Sequence, residues 1–280
     1  MTDKEMRAAC AIGWPIKQSK SPIIHGYWIE RYGINGEYRL EAVPPEDFPA
    51  FITNLPAHGY VGCNVTIPHK LVALANSEPD DRARAVGAAN ALWIDGDRLR
   101  STNTDVEGFV GSLDASAPGW DENLESAVVC GAGGAGRAVV FGLLERGVAC
   151  VHLVNRTPSR AQALREAFGP RVHPATWEDL PRVLDGAGLI ANATSLGMTG
   201  NPDVEWDLAP MRDDAVAADV VYAPLKTSLL VAAERRGFGT SDGLGMLLHQ
   251  AVRGFELWFG VRPEVTTELR ALVERALAKS

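Results

Sequence analysis

The run Val128-Val129-Cys130-Gly131-Ala132-Gly133-Gly134-Ala135-Gly136-Arg137-Ala138 constrains the fold more than any other stretch of the chain. Its glycines fit Gly-x-Gly-x-x-Gly. A short β-type run from Ser126 to Cys130 leads in, and a segment with helical spacing from Ala138 to Arg146 leads out to a Gly147 stop. That is the context a dinucleotide-binding βαβ unit requires. Backbone access explains the spacing: Gly131 makes the tight turn, Gly133 lets the main chain approach a pyrophosphate, and Gly136 lets helix pack on strand. The helix N-terminus presents N–H groups to the anion, so Gly131, Ala132, Gly133, Gly134 and Ala135 are the expected phosphate cradle. A glycine fingerprint also marks ordinary tight strand-to-helix turns, so the next strand matters more.

That strand, Val148 to Val154, ends in Asn155-Arg156-Thr157, about twenty residues on, where the adenine ribose should lie. No carboxylate stands there to accept a ribose 2′-hydroxyl. Arg156, with Thr157 and Arg160, offers donors and positive charge to a 2′-phosphate, which favours NADP over NAD. Solvated arginines at a helix start are the alternative.

Bulk properties narrow the class. A chain of 280 residues, 46% apolar, can fill two modest cores, so one large or two compact domains are admissible. Net charge is −8 with no basic run, which argues against nucleic acid, since phosphate neutralisation needs clustered Lys and Arg. The start Met-Thr-Asp-Lys-Glu-Met-Arg is too polar for a signal peptide, and no run of roughly eighteen apolar residues suits a membrane helix. A cytoplasmic protein without membrane partners is expected. Cys10, Cys63, Cys130 and Cys150 stand singly in apolar runs, with no Cys-x-x-Cys or His-Glu-x-x-His. They read as buried thiols, and neither a disulfide nor a metal is expected.

Taken in order, the chain opens with a strand from Arg7 to Ile12. Ser21 before Pro22 reads as the N-cap of a helix to about Tyr32. Ser19 and Ser21 beside that N-terminus could hold a carboxylate, or Ser21 could merely cap the helix. A strand around Glu37 to Val43, a helix from about Pro45 to Leu55 and a strand from Tyr60 follow. The last gathers Asn64, Thr66 and Lys70 at its carboxyl end, where open α/β sheets bind ligands. Lys70 opens a helical run and could equally be an exposed cation. Gly87 to Arg100 is a hairpin by its Asp95-Gly96 turn. It delivers Asp105, which capping of the next helix would explain by itself.

Ser19-Lys-Ser21-Pro22, Asn64-Val-Thr66-Ile-Pro-His-Lys70, Asn103-Thr-Asp105, the glycine turn, Asn155-Arg-Thr157, Asn192-Ala-Thr-Ser-Leu-Gly-Met198 and Asp242-Gly-Leu-Gly-Met-Leu-Leu-His-Gln250 together resemble the shikimate dehydrogenase family, from about Ile12 to Gln250. Two positions depart from its pattern. Gly26 follows His25 where the family usually has Asn, and Gly87-Ala-Ala-Asn90-Ala91 replaces Gly-Ala-Val-Asn-Thr; helix start and hairpin packing are the features these put in question.

The resemblance implies two α/β domains: a substrate domain at 1–104, a doubly wound Rossmann-like NADP domain at 105–242, and C-terminal helices at 243–280 returning to the first. Strands near Val172, Leu189 to Ala193 and Val216 to Val221 alternate with helices at Arg160 to Phe168, Glu178 to Leu184 and Ser228 to Arg236, as such a sheet requires. Two further helices, Leu244 to Phe259 and Glu264 to Leu277, complete the pattern. The implied activity is reversible NADPH-dependent reduction of 3-dehydroshikimate to shikimate, in chorismate and aromatic amino-acid biosynthesis. By resemblance Lys70 is the general acid and base, since an ammonium in a closed cleft can be tuned toward a useful range. Asp105 bonds that lysine and a substrate hydroxyl. Ser19, Ser21 and Tyr222 hold the carboxylate, and Thr66, Asn90 and Gln250 the ring hydroxyls. Asn192 to Ser195, Thr194 included, with Val220 and Gly243, line the nicotinamide side. A homodimer or a monomer fits the family. A quinate or amino-analogue dehydrogenase shares these motifs, and an NADPH-sensing module without catalysis is a rival of another class.

Overall fold

A computed structural model describes residues 6–279, so most of the polar start, residues 1–5, lies outside the described residues. The chain divides into two compact units. One takes the chain up to Thr104 and from Gln250 onward, and the other runs from Asp105 to His249. The second division falls inside the helix that begins at Gly243 rather than before it.

The first unit comprises β1 (Arg7–Gly13), α1 (Ser21–Arg31), β2 (Gly36–Ala42), α2 (Phe48–Thr53), β3 (Tyr60–Val65), α3 (Lys70–Ala75), β4 (Glu78–Pro79), α4 (Asp81–Val86), β5 (Ala91–Asp95) and β6 (Arg98–Thr102). Its sheet has the order β2-β1-β3-β5-β6-β4. β1 lies parallel to β2 and β3, whereas β5 runs antiparallel to β3 and β6. β1 is apolar and buried along nearly its whole length because both faces are covered. The helix expected over Pro45 to Leu55 is two pieces, α2 and a 3₁₀ turn at Leu55–His58. Pro56 explains the break, since it has no N–H to continue an α-helical ladder. Gly26 has nothing within 4 Å of where a Cβ would stand, and Ala91 is fully buried in β5. Neither departure disturbs the helix or the hairpin.

The second unit comprises α5 (Asp105–Ser116), β7 (Ser126–Cys130), α6 (Gly134–Glu145), β8 (Cys150–Val154), α7 (Pro158–Phe168), β9 (Val172–Ala175), α8 (Leu180–Leu184), β10 (Leu189–Asn192), β11 (Val216–Asp219), α9 (Ser228–Arg235) and β12 (Gly239–Ser241). Its six strands are parallel throughout, in the order β12-β11-β10-β7-β8-β9. Read from β9, this is the doubly wound order whose chain direction reverses between the first and fourth strands, here β7 and β10. One core of Val129, Leu143, Leu153 and their neighbours covers one face, and a second around Val128, Ile190 and Leu229 covers the other.

The chain ends in α10 (Gly243–Phe259) and α11 (Thr267–Leu277). Phe255 and Trp258 of α10 join Trp28, Tyr38 and His25 in an aromatic cluster of the first unit. Trp258 Nε1 donates to the carbonyl of Leu92 at 2.8 Å. Gly62 leaves the space for it: a Cβ there would stand 2.1 Å from that nitrogen. Cys10, Cys63 and Cys130 are buried free thiols, while Cys150 is only partly buried. Among the described residues no helix is long and apolar enough to cross a membrane, and no group of three or more His, Cys, Asp or Glu could hold a metal.

His25 is fully buried and stacked on Tyr38, with ring centroids 4.0 Å apart. Neither ring nitrogen has a hydrogen-bond partner. Burial pushes its pKa down to about 3, against a weaker upward pull from Asn64, whose amide approaches without closing a hydrogen bond. The folded imidazole therefore stays neutral while the unfolded one charges, so stability is lost as pH falls from the ordinary value near 6.5 toward 3. Replacing His25 with Phe should make urea stability less acid-sensitive, by about 2 kcal/mol between pH ~7.5 and ~5, at 1.36 kcal/mol per pKa unit. Urea titrations of both proteins at the two pH values check this; equal losses would mean the imidazole does not titrate as its burial dictates.

Candidate active site

In the second unit the glycine turn sits at the β7/β10 reversal. Gly131 has φ +110°, and a Cβ on it would stand 2.7 Å from the carbonyl oxygen of Ala193. At Gly136 a Cβ would meet the carbonyl oxygen of Gly131 at 2.0 Å. Both positions are closed to any side chain. Gly133 is different: it is exposed, and nothing lies within 4 Å of where its Cβ would be. It is also the N-cap of α6, with no side chain capping the helix. An uncapped helix N-terminus fronted by open space fits a pyrophosphate, because the aligned N–H groups and the dipole favour an anion there.

Asn155, at the end of β8, ties this turn to the ribose side. Its Oδ1 accepts from Ala132 N at 3.1 Å, and its Nδ2 donates to the Thr157 carbonyl at 2.8 Å. Thr157, Arg156 and Arg160 are exposed around the start of α7. Neither Arg156 nor Arg160 forms an ion pair among the described residues, and no carboxylate occupies this strand end. An unpaired cationic corner of this kind suits a phosphate better than a hydroxyl pair.

Two more loops meet near the carboxyl ends of β10 and β11. Thr194 is half-buried and Ser195 exposed. Val220 N donates to the carbonyl of Asn192 at 3.0 Å, bringing the two loops together. Gly243 is packed so closely that a Cβ would lie 2.5 Å from the carbonyl oxygens of Val220 and Val221. Tyr222 is half-buried, and that burial raises its phenol pKa. Asp105 is buried as the first residue of α5.

In the first unit the polar residues collect where β1, β3 and β6 end. α1 begins one residue earlier than expected: Ser21 is its first residue, and Lys20 holds the N-cap position without a side-chain cap. Ser19 takes the role expected of Ser21, its Oγ accepting from Ser21 N at 3.3 Å and donating to Ser21 Oγ at 3.2 Å. Both hydroxyls thus lie together at a helix N-terminus, and Ser21 Oγ is spared capping. Lys70 is the half-buried first residue of α3, just past the Thr66 to His69 turn. His69 is anchored beneath it by Nε2 against the Val43 carbonyl at 2.9 Å and by stacking on Phe48. Asn90 donates through Nδ2 to Thr104 Oγ1 at 3.0 Å and accepts from Thr104 N at 2.7 Å, and Thr104 reaches Gln250 Oε1 at 3.4 Å.

Three polar residues supporting these groups are not singled out by the sequence, although Thr104 lies inside the Asn103-Thr-Asp105 motif. Tyr38 donates to Asn64 Oδ1 at 2.6 Å, and burial holds its phenol far above the usual range. Thr104 links Asn90 to Gln250, and Asp219 ends β11 almost fully buried. Tyr38 sits in an ordinary alternating strand, and Asp219 ends an apolar one. A lone aspartate closing an otherwise apolar strand is the one mark Asp219 leaves in the sequence.

A reversed parallel sheet, an uncapped glycine helix and a free arginine corner define a dinucleotide-binding α/β protein of the dehydrogenase type. Family models for the shikimate dehydrogenase substrate binding domain, the shikimate / quinate 5-dehydrogenase and the shikimate 5′-dehydrogenase C-terminal domain match residues 11–92, 119–199 and 243–273. A shikimate dehydrogenase (NADP(+)) from Rhodopseudomonas palustris is 65% identical over 97% of this chain and 98% of its own. The chain belongs to the shikimate dehydrogenase family. Among solved structures, the Thermus thermophilus shikimate 5-dehydrogenase in complex with NADP(H) and shikimate aligns with TM-score 0.83, at 33% identity, over 98% of this chain and 99% of that one. The Corynebacterium glutamicum quinate dehydrogenase in complex with NAD aligns with TM-score 0.87, at 31% identity, over 96% and 98%.

The contrast between glycines yields a prediction. Gly131→Ala should lower thermal stability by roughly 1–3 kcal/mol, because it forces a left-handed backbone and a carbonyl contact. Gly133→Val should leave the melting temperature nearly unchanged and weaken dinucleotide affinity about tenfold or more, by filling the open cradle. Paired melting curves and fluorescence titrations check both; a stability loss in Gly133→Val as large as that in Gly131→Ala would show that the cradle is structural.

Proposed function

We propose that this chain is an NADP-dependent shikimate dehydrogenase whose first unit holds the substrate and whose second holds the cofactor. It reduces the 3-keto group of 3-dehydroshikimate to shikimate, reversibly, acting on a CH–OH group. One observation carries the reading above others: Arg156 after β8 and Arg160 in the first turn of α7, neither in an ion pair among the described residues, in a chain similar along nearly its whole length to an NADP-linked relative.

Bound NADPH supplies the hydride for C3 of the substrate. The protein's own task is to place the ring and move one proton. Ser19 and Ser21 hydroxyls, held together at the start of α1, hold the carboxylate with Tyr222. Thr66, Asn90 and Gln250 hold the ring hydroxyls, with Asn90 and Gln250 oriented through Thr104. Lys70 Nζ gives a proton to the C3 oxygen in reduction and takes it back in oxidation. Asp105 orients that ammonium and accepts from a substrate hydroxyl. Gly131 to Ala135 hold the pyrophosphate, Asn155, Arg156, Thr157 and Arg160 the adenine ribose phosphate, and Thr194, Ser195, Val220 and Gly243 the nicotinamide side.

The quinate reading is favoured by one observation, the 0.87 TM-score to a quinate dehydrogenase. Backbone similarity is shared by both activities, whereas 65% identity is to a shikimate enzyme. Steady-state rates with shikimate and quinate, each against NADP⁺ and NAD⁺, decide between them. The same reading makes the enzyme cytoplasmic, a monomer or homodimer, acting on a small molecule without nucleic acid or membrane. Sedimentation of the purified protein tests the oligomeric part.

Arg156→Asp should weaken NADP⁺ far more than NAD⁺, narrowing or inverting the preference, because an anion replaces a donor cation. Equal losses for both cofactors in KM would assign Arg156 another role. Lys70→Ala should lower kcat by roughly 10²–10⁴-fold with a much smaller change in KM. Lys70→Arg should rescue poorly, since a guanidinium cannot act as the base for shikimate oxidation. The check is kcat against pH in wild type and Lys70→Ala; a basic-limb ionisation unchanged in the variant would assign the proton to another group.

A further inference from the structure

Asp219 is 3% exposed and forms no ion pair among the described residues. Burying a carboxylate without a cation is costly unless hydrogen bonds replace the lost water. Here they do. Its oxygens accept from Val221 N at 2.8 Å, from Thr227 Oγ1 at 2.7 Å and from Asn192 Nδ2 at 3.1 Å to each oxygen. Burial still pushes its pKa up to about 6, with Asp203 adding to the rise, and the Cys130 thiol is raised by its own burial first and by the aspartate second.

The donors belong to three separate segments. Val221 follows β11, Thr227 is the N-cap of α9, and Asn192 ends β10. Asn192 extends the chain of bonds. Its Oδ1 accepts from Thr194 N at 3.1 Å and Thr194 Oγ1 at 2.7 Å, and its Nδ2 also donates to the Leu196 carbonyl at 3.1 Å. Thr194 Oγ1 in turn accepts from Leu196 N at 3.0 Å. α9 already has its cap in Thr227, and the sheet closes without any charge at this point. Backbone bonds from Val220 N to the Asn192 carbonyl and from Thr199 N to the Ala223 carbonyl join the two loops as well, and the carboxylate adds the side-chain link between the turn after β10 and the segment after β11.

We propose that Asp219 is a positioning residue for catalysis: through Asn192 and Thr227 it holds the Thr194–Ser195 turn and the Val220–Tyr222 segment in one fixed arrangement. This rests on the assignment above of those two segments to the nicotinamide side and the substrate carboxylate. Each is an irregular loop, and loops hold a site well only when a second layer of hydrogen bonds fixes them. A four-bond acceptor at the strand end does this for both loops at once.

Complementarity supplies the test. Asp219→Asn sets an amide donor against the amide of Asn192, and Asn192→Asp sets carboxylate against carboxylate. Each single variant should lower kcat by roughly 10²-fold, the scale of a misplacement of about 1 Å. The double swap, Asn192→Asp with Asp219→Asn, restores one donor facing one acceptor and should recover at least about tenfold of that loss. Thr227→Val, which removes the bond to Asp219 together with the cap of α9, should lower kcat several-fold while remaining folded, whereas Thr227→Ser, which keeps both bonds, should keep wild-type kcat. All are measured on the full chain, as kcat and KM for shikimate and NADP⁺, with melting temperatures alongside.

Single variants that melt lower yet keep wild-type kcat would overturn the proposal, as would a swap no better than the singles. NADP⁺ affinity from quenching of protein fluorescence separates this from the functional reading. If wild type turns over neither shikimate nor quinate, the activity assignment fails by itself. Loss of NADP⁺ affinity in the singles and its return in the swap would still establish the clasp, and affinity unchanged in all three would overturn it.

Discussion

The second unit depends on one approach of backbone to backbone. α6 can leave β7 where it does only because Gly136 and Gly131 carry no side chains, with 2.0 Å between a notional Cβ on the first and the carbonyl oxygen of the second. Any larger residue would push the helix off the strand end. From this approach follow the position of the helix N-terminus, the room at Gly133, and the crevice against Ala193 of the neighbouring strand. The place of the helix N-terminus and the open space before it are therefore consequences of the same missing atoms.

The first unit solves a different problem, that of keeping polar side chains buried at strand ends. Asn64 is satisfied by Tyr38, Asn90 by Thr104 on both of its amide atoms, and His69 by a backbone carbonyl. Each bond removes a rotamer that the side chain would otherwise sample, which stiffens the polar strand ends. His25 is the exception, an unsatisfied imidazole among aromatic rings. Its neutrality lets it pack as an aromatic, and acid is what exposes the cost.

Much of this was legible in the sequence because it is local. The glycine turn, the Asp95-Gly96 hairpin and the alternation of strands and helices after Ser126 each depend on residues close in the chain. Asn155 and Arg156 could be read from their place after a strand. The failures have identifiable physical origins. The Ser21-Pro22 pair suggests a cap at Ser21, but capping is decided by one backbone dihedral, which spacing does not resolve, and Lys20 holds that position. The break at Pro56 has a local cause, whereas the short strands β4 and β12 depend on tertiary pairing rather than pattern. Tyr38, Thr104 and Asp219 matter through partners 26, 146 and 27 residues away, a distance at which a single sequence carries no mark.

One feature of the chain path bears on its birth rather than its chemistry. The first unit is discontinuous: its sheet is built before Thr104, yet Trp258, which fills the space above Gly62 and bonds to Leu92, is encoded near the other end. The second unit is one unbroken segment. On a ribosome, where chains emerge from the N-terminus and domains fold as units, the later-made unit has all its parts first. The sheet that is translated first must wait, its aromatic cluster open, until the last helices arrive.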